Sequence, residues 1–228
     1  MSLIKFEKVN KIYHNKSVGL HDINLEIANG EFLLVVGKTG SGKSTLLKLV
    51  NREEEPTSGK IFFDGEDIAQ IKNNELHSYR QKFGAIFQDI RLISSKSIFE
   101  NIAFAMEMIG ATDEDILRDV PQILDMVGLR NKSGSFPNEL SGGEKQKVAI
   151  ARALIHRPDV ILADEPTGSL DAYNTRDVVE TLQKLNSMGT TILLATHNEK
   201  VVNLLKKRVI TLDDGQIIRD QAKGKFIL

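Results

Sequence analysis

The chain has 228 residues, a formal net charge of −1 and no cysteine, a length that suits one α/β domain with an inserted subdomain. The charge balance excludes a strongly basic nucleic-acid surface and a polybasic membrane patch. The missing cysteines exclude a disulfide scaffold, a thiolate metal site and thiol catalysis, and no stretch approaches the roughly 18 apolar residues of a membrane span.

The N-terminal part alternates apolar and polar residues in Ile4-Lys5-Phe6-Glu7 and Ile23-Asn24-Leu25-Glu26-Ile27, with turn signals at Asn29-Gly30 and Asp64-Gly65. An antiparallel sheet is expected there. Next, Phe32-Leu33-Leu34-Val35-Val36 is continuously apolar and rich in β-formers, as a buried parallel strand should be. The loop Gly37-Lys38-Thr39-Gly40-Ser41-Gly42 follows, and Lys43-Ser44-Thr45 opens a predicted helix to Val50. This is the G-x-x-x-x-G-K-[ST] pattern in its strand–loop–helix setting. Its glycines permit positive φ, so the backbone N–H groups can turn inward upon phosphates. The helix N-terminus adds a positive dipole end. Lys43 would bridge the β- and γ-phosphates of a nucleotide, and Ser44 would hold its Mg²⁺. The bland alternative is a Gly-rich turn.

A further strand is expected over Phe83-Gly84-Ala85-Ile86-Phe87, ending at Gln88. Residues 90–140 are helical in pattern. Ile98, Ile102, Ala105 and Ile109 fall on one stripe, which Phe99, Met106 and Met108 widen. That stripe either packs into the core or forms a groove for a partner helix.

Leu140-Ser141-Gly142-Gly143-Glu144 precedes a predicted helix over Lys145 to His156, closed by Arg157-Pro158. Ser141 and Glu144 are spaced as a capping box. The box does not explain Gly142-Gly143, which weaken a first turn by roughly 1 kcal/mol each relative to alanine. Glycines there expose N–H groups at a positive helix end and so open an anion site. Val160-Ile161-Leu162-Ala163 is a second buried-strand pattern with Asp164-Glu165 at its carboxyl end, where ligands of open α/β sheets gather. Asp164 is placed to hold Mg²⁺, and Glu165 to orient and deprotonate an attacking water. An acidic pair capping a helix is the alternative. The strand expected over Thr190 to Thr196 leads to His197; His14, His21, His77 and His156 are expected at the surface. The apolar tail Phe226-Ile227-Leu228 is either docked or frayed.

With these motifs in this order, the chain resembles an ATP-binding cassette (ABC) ATPase over nearly its whole length. The resemblance implies a P-loop NTPase with a RecA-like parallel core and an N-terminal antiparallel β subdomain. An α-helical subdomain is implied at approximately 90–157 within one domain of 1–228. It implies Mg-dependent hydrolysis of ATP. It assigns Tyr13 to stacking on adenine, Gln88 to the Mg²⁺ or the water, and His197 to the γ-phosphate. Ser141, Gly142 and Gly143 would contact nucleotide bound by an opposing copy, and Asp171, in Ser169-Leu170-Asp171, would link the two sites. A head-to-tail homodimer forming on ATP is therefore implied, driving an integral membrane partner from the cytoplasmic face and touching no nucleic acid. The chain departs from the common family pattern at Lys38-Thr39, at Glu144-Lys145-Gln146-Lys147 and at Asn198. None of these removes a catalytic atom.

Less specific words narrow the likeness to cassettes of bacterial cell division: Leu47-Lys48-Leu49, residues 52–61, Phe87-Gln88-Asp89 and residues 100–106. That likeness implies control of cell-wall hydrolysis without cargo. The alternatives are an ATPase of lipoprotein release or macrolide-type export, an amino-acid importer's ATPase, and a soluble clamp for nucleic acid or ribosomes. No signal peptide is expected, and a cytoplasmic setting suits both ATP chemistry and the absence of cysteine.

Overall fold

The computed structural model describes residues 2–224 and 226. The alternating N-terminal segments form β1 (Ser2–Ile12) and β2 (Val18–Ala28), joined antiparallel. β3 (Phe32–Val36) leads through the glycine-rich loop into α1 (Lys43–Val50). β4 (Ser58–Phe63) and β5 (Glu66–Asp67) complete a four-stranded sheet of order β2-β1-β4-β5. The short α2 (Leu76–Arg80) precedes β6 (Phe83–Phe87). Then come α3 (Ile98–Glu107), α4 (Asp113–Met126) and α5 (Gly142–Leu154). β7 (Val160–Asp164), α6 (Ala172–Ser187), β8 (Thr191–Thr196) and α7 (Glu199–Leu205) follow. The hairpin β9 (Arg208–Asp213) and β10 (Gln216–Gln221) closes the chain.

The second sheet has six strands in the order β10-β9-β3-β8-β7-β6, parallel except for β10. Its central strands β3, β8 and β7 are buried along almost their whole length because both faces are covered. On β3, Leu33 and Val35 pack toward the antiparallel sheet, while Phe32, Leu34 and Val36 pack toward the helices. β7 and β8 divide the same way, so two cores sit back to back across one sheet. This arrangement brings the carboxyl ends of β3, β8, β7 and β6 into register: Val36 pairs with Thr196, Ala195 with Asp164, and Asp164 with Phe87.

The sequence pattern needs correction in three places. The buried face of α3 keeps Ile98, Ile102 and Met106 of the predicted stripe, with Phe99 and Ala105 partly buried against the core, but it also takes in Asn101 and Ala103 and leaves out Met108 and Ile109. The helix ends at Glu107, and Met108 and Ile109 are exposed beyond it. Asn101 can lie inside because its amide is fully engaged: Oδ1 accepts from Ile93 N at 2.7 Å, and Nδ2 donates to the carbonyls of Ile93, Lys96 and Ser97. The signature helix starts at Gly142, three residues before the predicted start, and stops at Leu154. His156 is half-buried rather than on the surface, with Nε2 3.2 Å from the Phe83 carbonyl. Of the tail, Phe226 packs against the helical core; Ile227 and Leu228 lie outside the described residues.

Candidate active site

The phosphate loop closes upon Lys43. Its ammonium donates to the carbonyls of Gly37 and Lys38, each at 2.9 Å, and is almost wholly buried. Gly40 and Gly42 take φ of 84° and 104°. At Gly42 a side chain is also barred by space, since a Cβ would overlap the Gly19 carbonyl. A cleft of about 350 Å³ opens here, lined by Tyr13, Gly19, Gly40, Gly42, Lys43 and Ser44 among others. Tyr13 leans over the loop, its hydroxyl 3.0 Å from Thr45 Oγ1. Ser41 is buried and Gly215 N donates to its carbonyl, which ties the loop to the β9–β10 turn. Lys38, Thr39 and Ser44 are exposed. A cation surrounded only by loop carbonyls, at a helix N-terminus lined by glycines, suits the phosphates of a nucleotide.

Asp164 ends β7, half-buried, and Glu165 follows at φ 48°. The left-handed turn aims these consecutive carboxylates differently. Glu165 N donates to the Ala195 carbonyl on the neighbouring strand. Its side chain is 13% exposed and turns to the end of β8. There Oε1 accepts from His197 N at 3.0 Å and lies 2.6 Å from Nδ1, and Oε2 accepts from Thr196 Oγ1 at 3.1 Å. A carboxylate only accepts, so Nδ1 carries the hydrogen and Nε2 is left outward. Among the described residues no group of three or more His, Cys, Asp or Glu could hold a metal. This donor set therefore fits an ion that arrives on a nucleotide's phosphates, with Ser44 and Asp164 as the protein oxygens that could meet it.

Gln88 is exposed at the end of β6 and lies against Gly168, where a Cβ would come within 2.9 Å of Nε2. Ser141 caps α5 in the predicted box: its Oγ accepts from Glu144 N, and Glu144 Oε2 accepts from Ser141 N at 2.9 Å. Those bonds, with Lys132 at 3.1 Å, hold the Glu144 carboxyl below its ordinary range. The two glycines differ. Gly142 is exposed, whereas Gly143 is buried beneath Asn174, whose amide occupies the space a Cβ would need. Asn174 is held in turn by Asp171, the N-cap of α6, which accepts from its N at 2.9 Å and its Nδ2 at 2.6 Å. The acidic pair Asp164-Glu165 does not cap a helix; Asp171 does. Asn198 caps α7 through Lys200 N and Val201 N, which accounts for an amide at that position.

Lys43, Ser44, Asp164, Glu165, Gln88 and His197 thus gather along one edge of the parallel sheet. No residue of 141–143 lines the phosphate cleft of its own chain. Sequence reasoning missed Gln146 and Arg152, which donate to the Phe87 and Arg91 carbonyls on either side of Gln88, and Asn101, which holds residues 93–97. Their one signal was polarity within otherwise apolar helix patterns.

The fold and this site define a nucleotide-hydrolysing cassette, and the chain belongs to the ABC transporter family, whose model matches residues 20–168. It is an ABC ATPase that binds and hydrolyses ATP. It is 46% identical to the cell division ATP-binding protein FtsE of Bacillus subtilis (strain 168) over 98% of each chain. It is 41% identical to FtsE of Escherichia coli (strain K12) over 94% of this chain and 97% of that one. Among solved structures, the dimeric post-hydrolysis state of the ATP-binding cassette MJ0796, bound to ADP and Pi, superposes with a TM-score of 0.86. It is 33% identical, covering 98% of this chain and all of that one.

Proposed function

We propose that the chain is the ATPase subunit of a bacterial cell-division complex, acting as FtsE does. Two copies pair head to tail on ATP and drive an integral membrane partner resembling FtsX from the cytoplasmic face, so controlling cell-wall hydrolysis. The observation that carries the pairing is the divided site: Lys43 and Glu165 lie at the sheet edge, while Ser141 and Gly142 stand exposed at another helix end, outside their own chain's cleft. A second copy brings the missing donors. Among the described residues no helix is long and apolar enough to cross a membrane, which fits a subunit that exports its stroke to another protein. Residues 90–157 would form the helical unit that meets this partner, and exposed Phe87, next to Gln88, with exposed Phe104 and Met108 offer it apolar surface.

In the reaction, Lys43 holds the β- and γ-phosphates and Tyr13 stacks on adenine. Ser44, Asp164 and Gln88 would hold Mg²⁺, which would supply positive charge against the phosphates. Glu165 takes a proton from water as its oxygen bonds to the γ-phosphorus. The bond to the β-phosphate oxygen breaks, leaving ADP and phosphate. His197 and the opposing Ser141 and Gly142 stabilise the charge in transfer, and Asp171 links the two sites through Asn174. Two measurements test this reading. Glu165→Gln protein should double in mass on adding Mg-ATP; unchanged mass at high concentration defeats the pairing. Membrane purification of the full chain should recover an FtsX-like protein. Recovery instead of a transporter's membrane subunit, or of ribosomes, defeats the cell-division role and leaves the ATPase.

A further inference from the structure

β6 is an edge strand whose one neighbour in the sheet is β7. Alternate carbonyls of such a strand face outward, and those of Phe83 and Phe87 share the outer side. α5 covers this edge closely enough that a Cβ at Gly84 would overlap the Ala153 carbonyl. Side chains of α5 and its C-terminal extension stitch it to the strand and the loop beyond. His156 Nε2 donates to the Phe83 carbonyl at 3.2 Å, and buried Gln146 donates to the Phe87 carbonyl at 3.5 Å. Arg152 Nη1 donates to the Arg91 carbonyl at 2.6 Å. Gln88 lies between the second and third of these stitches. Its own side chain is exposed, so its place is set by its flanks.

We propose that Gln146 and Arg152 are positioning residues for Gln88, fixing the turn that carries it to the same helix whose N-terminus presents Ser141 and Gly142. This rests on the reading of Gln88 as a group that meets the reacting end of ATP. Its consequence is mechanical. A contact made at Gly142 by the opposing copy's nucleotide is felt at Gln88 through a rigid helix and two hydrogen bonds, without passing along the intervening chain. The Gln146 bond is long and fixes the start of the turn loosely. The short Arg152 bond carries most of the constraint, from a guanidinium largely withdrawn from water.

The test uses Arg152→Met, which keeps the apolar stem and removes the donor. In steady-state hydrolysis of Mg-ATP by the full chain, kcat falls about tenfold while KM for ATP stays within about twofold. Arg152→Lys, which can still donate to the Arg91 carbonyl, recovers about half the rate or more. In a Gln88→Ala background, Arg152→Met lowers kcat by less than about twofold. A further tenfold loss there, or a raised KM with kcat unchanged, overturns the positioning role. Backbone amide exchange over residues 88–93 asks the same question without turnover: Mg-ATP protects this segment in the wild type and not in Arg152→Met, and equal protection overturns the proposal. Binding of a fluorescent ATP analogue keeps the two readings apart. A wild-type chain that fails to bind it defeats the ATPase reading itself, whereas binding and hydrolysis with an additive cycle defeat the positioning role alone.

Discussion

His197 and Glu165 are bonded to each other across the ends of neighbouring strands, with Nδ1 2.6 Å from Oε1. The group that would take a proton from water is thus in direct contact with the histidine that would meet the γ-phosphate. The Thr196 hydroxyl and the His197 amide hold the same carboxylate and keep Glu165 aimed independently of the imidazole. His197→Ala should therefore lower kcat about a hundredfold. ATP affinity should be largely retained, because Lys43 and the phosphate loop, which hold most of the phosphate charge, are untouched. Phosphate release and analogue binding check this; loss of binding would place His197 in the wrong role.

Lys43 is expected to be decisive for binding. Its ammonium is buried and bonded to the carbonyls of Gly37 and Lys38, so it is pre-placed without any carboxylate to compete with the phosphates. Lys43→Met removes charge-assisted bonds and leaves those carbonyls facing the ligand's negative charge. ATP affinity should fall by about a hundredfold or more, read by fluorescence titration. Near-native affinity would show that the loop is misassigned.

The two signature glycines should respond in opposite ways. Gly142 is exposed, and a Cβ there would sit 3.7 Å from Leu170 Cδ2, an ordinary contact. Gly142→Ala should leave stability unchanged or raise it by about 0.5 kcal/mol through helix propensity. At Gly143 the added methyl must displace Asn174 and with it the Asp171 bond at 2.6 Å. Gly143→Ala should cost about 1–2 kcal/mol. In a Glu165→Gln background it should also weaken ATP-dependent pairing while ATP still binds. Denaturant midpoints and sedimentation check both halves.

The phosphate loop, the acidic strand end and the capping box were legible in the sequence because each is local. Its chemistry needs particular residue types within a few positions of one another. The α3 stripe misled at Met108 and Ile109, and passed over Asn101, because apolarity was its only guide. Asn101 holds a core position, since four backbone groups of residues 93–97 satisfy it; unpaired, such groups would cost roughly 1–3 kcal/mol each. That loop's path is not written in the helix pattern. Nor could the sequence show that Asn174 covers Gly143, because the two meet only when α5 and α6 pack. Strand order was equally hidden. Without knowing that β6 is an edge, nothing distinguished His156 from the exposed His14, His21 and His77.

That edge makes His156 a pH-dependent element of the fold. Burial lowers its pKa from the ordinary value of 6.5, partly offset by its hydrogen bond to Phe83. The acceptor is a carbonyl, so Nε2 carries a hydrogen in either charge state, and it is burial that favours the neutral ring. As pH falls below 6.5, the unfolded chain gains this proton before the folded one does. The stabilisation is thus complete above the unfolded value and is lost as pH drops toward the folded one. The hydrogen-bonded carboxyls of Glu100, Glu144, Asp115 and Asp171 are all lowered from values of 4.5 or 3.8, so their contributions fade at lower pH still. Between about pH 5 and 6.5 the difference between wild type and His156→Gln therefore isolates this ring. Glutamine keeps an N–H for the Phe83 carbonyl and cannot charge. The wild-type Tm should fall by about 2 °C more than the variant's over that window, and parallel curves would show that the imidazole is not held neutral against the strand edge.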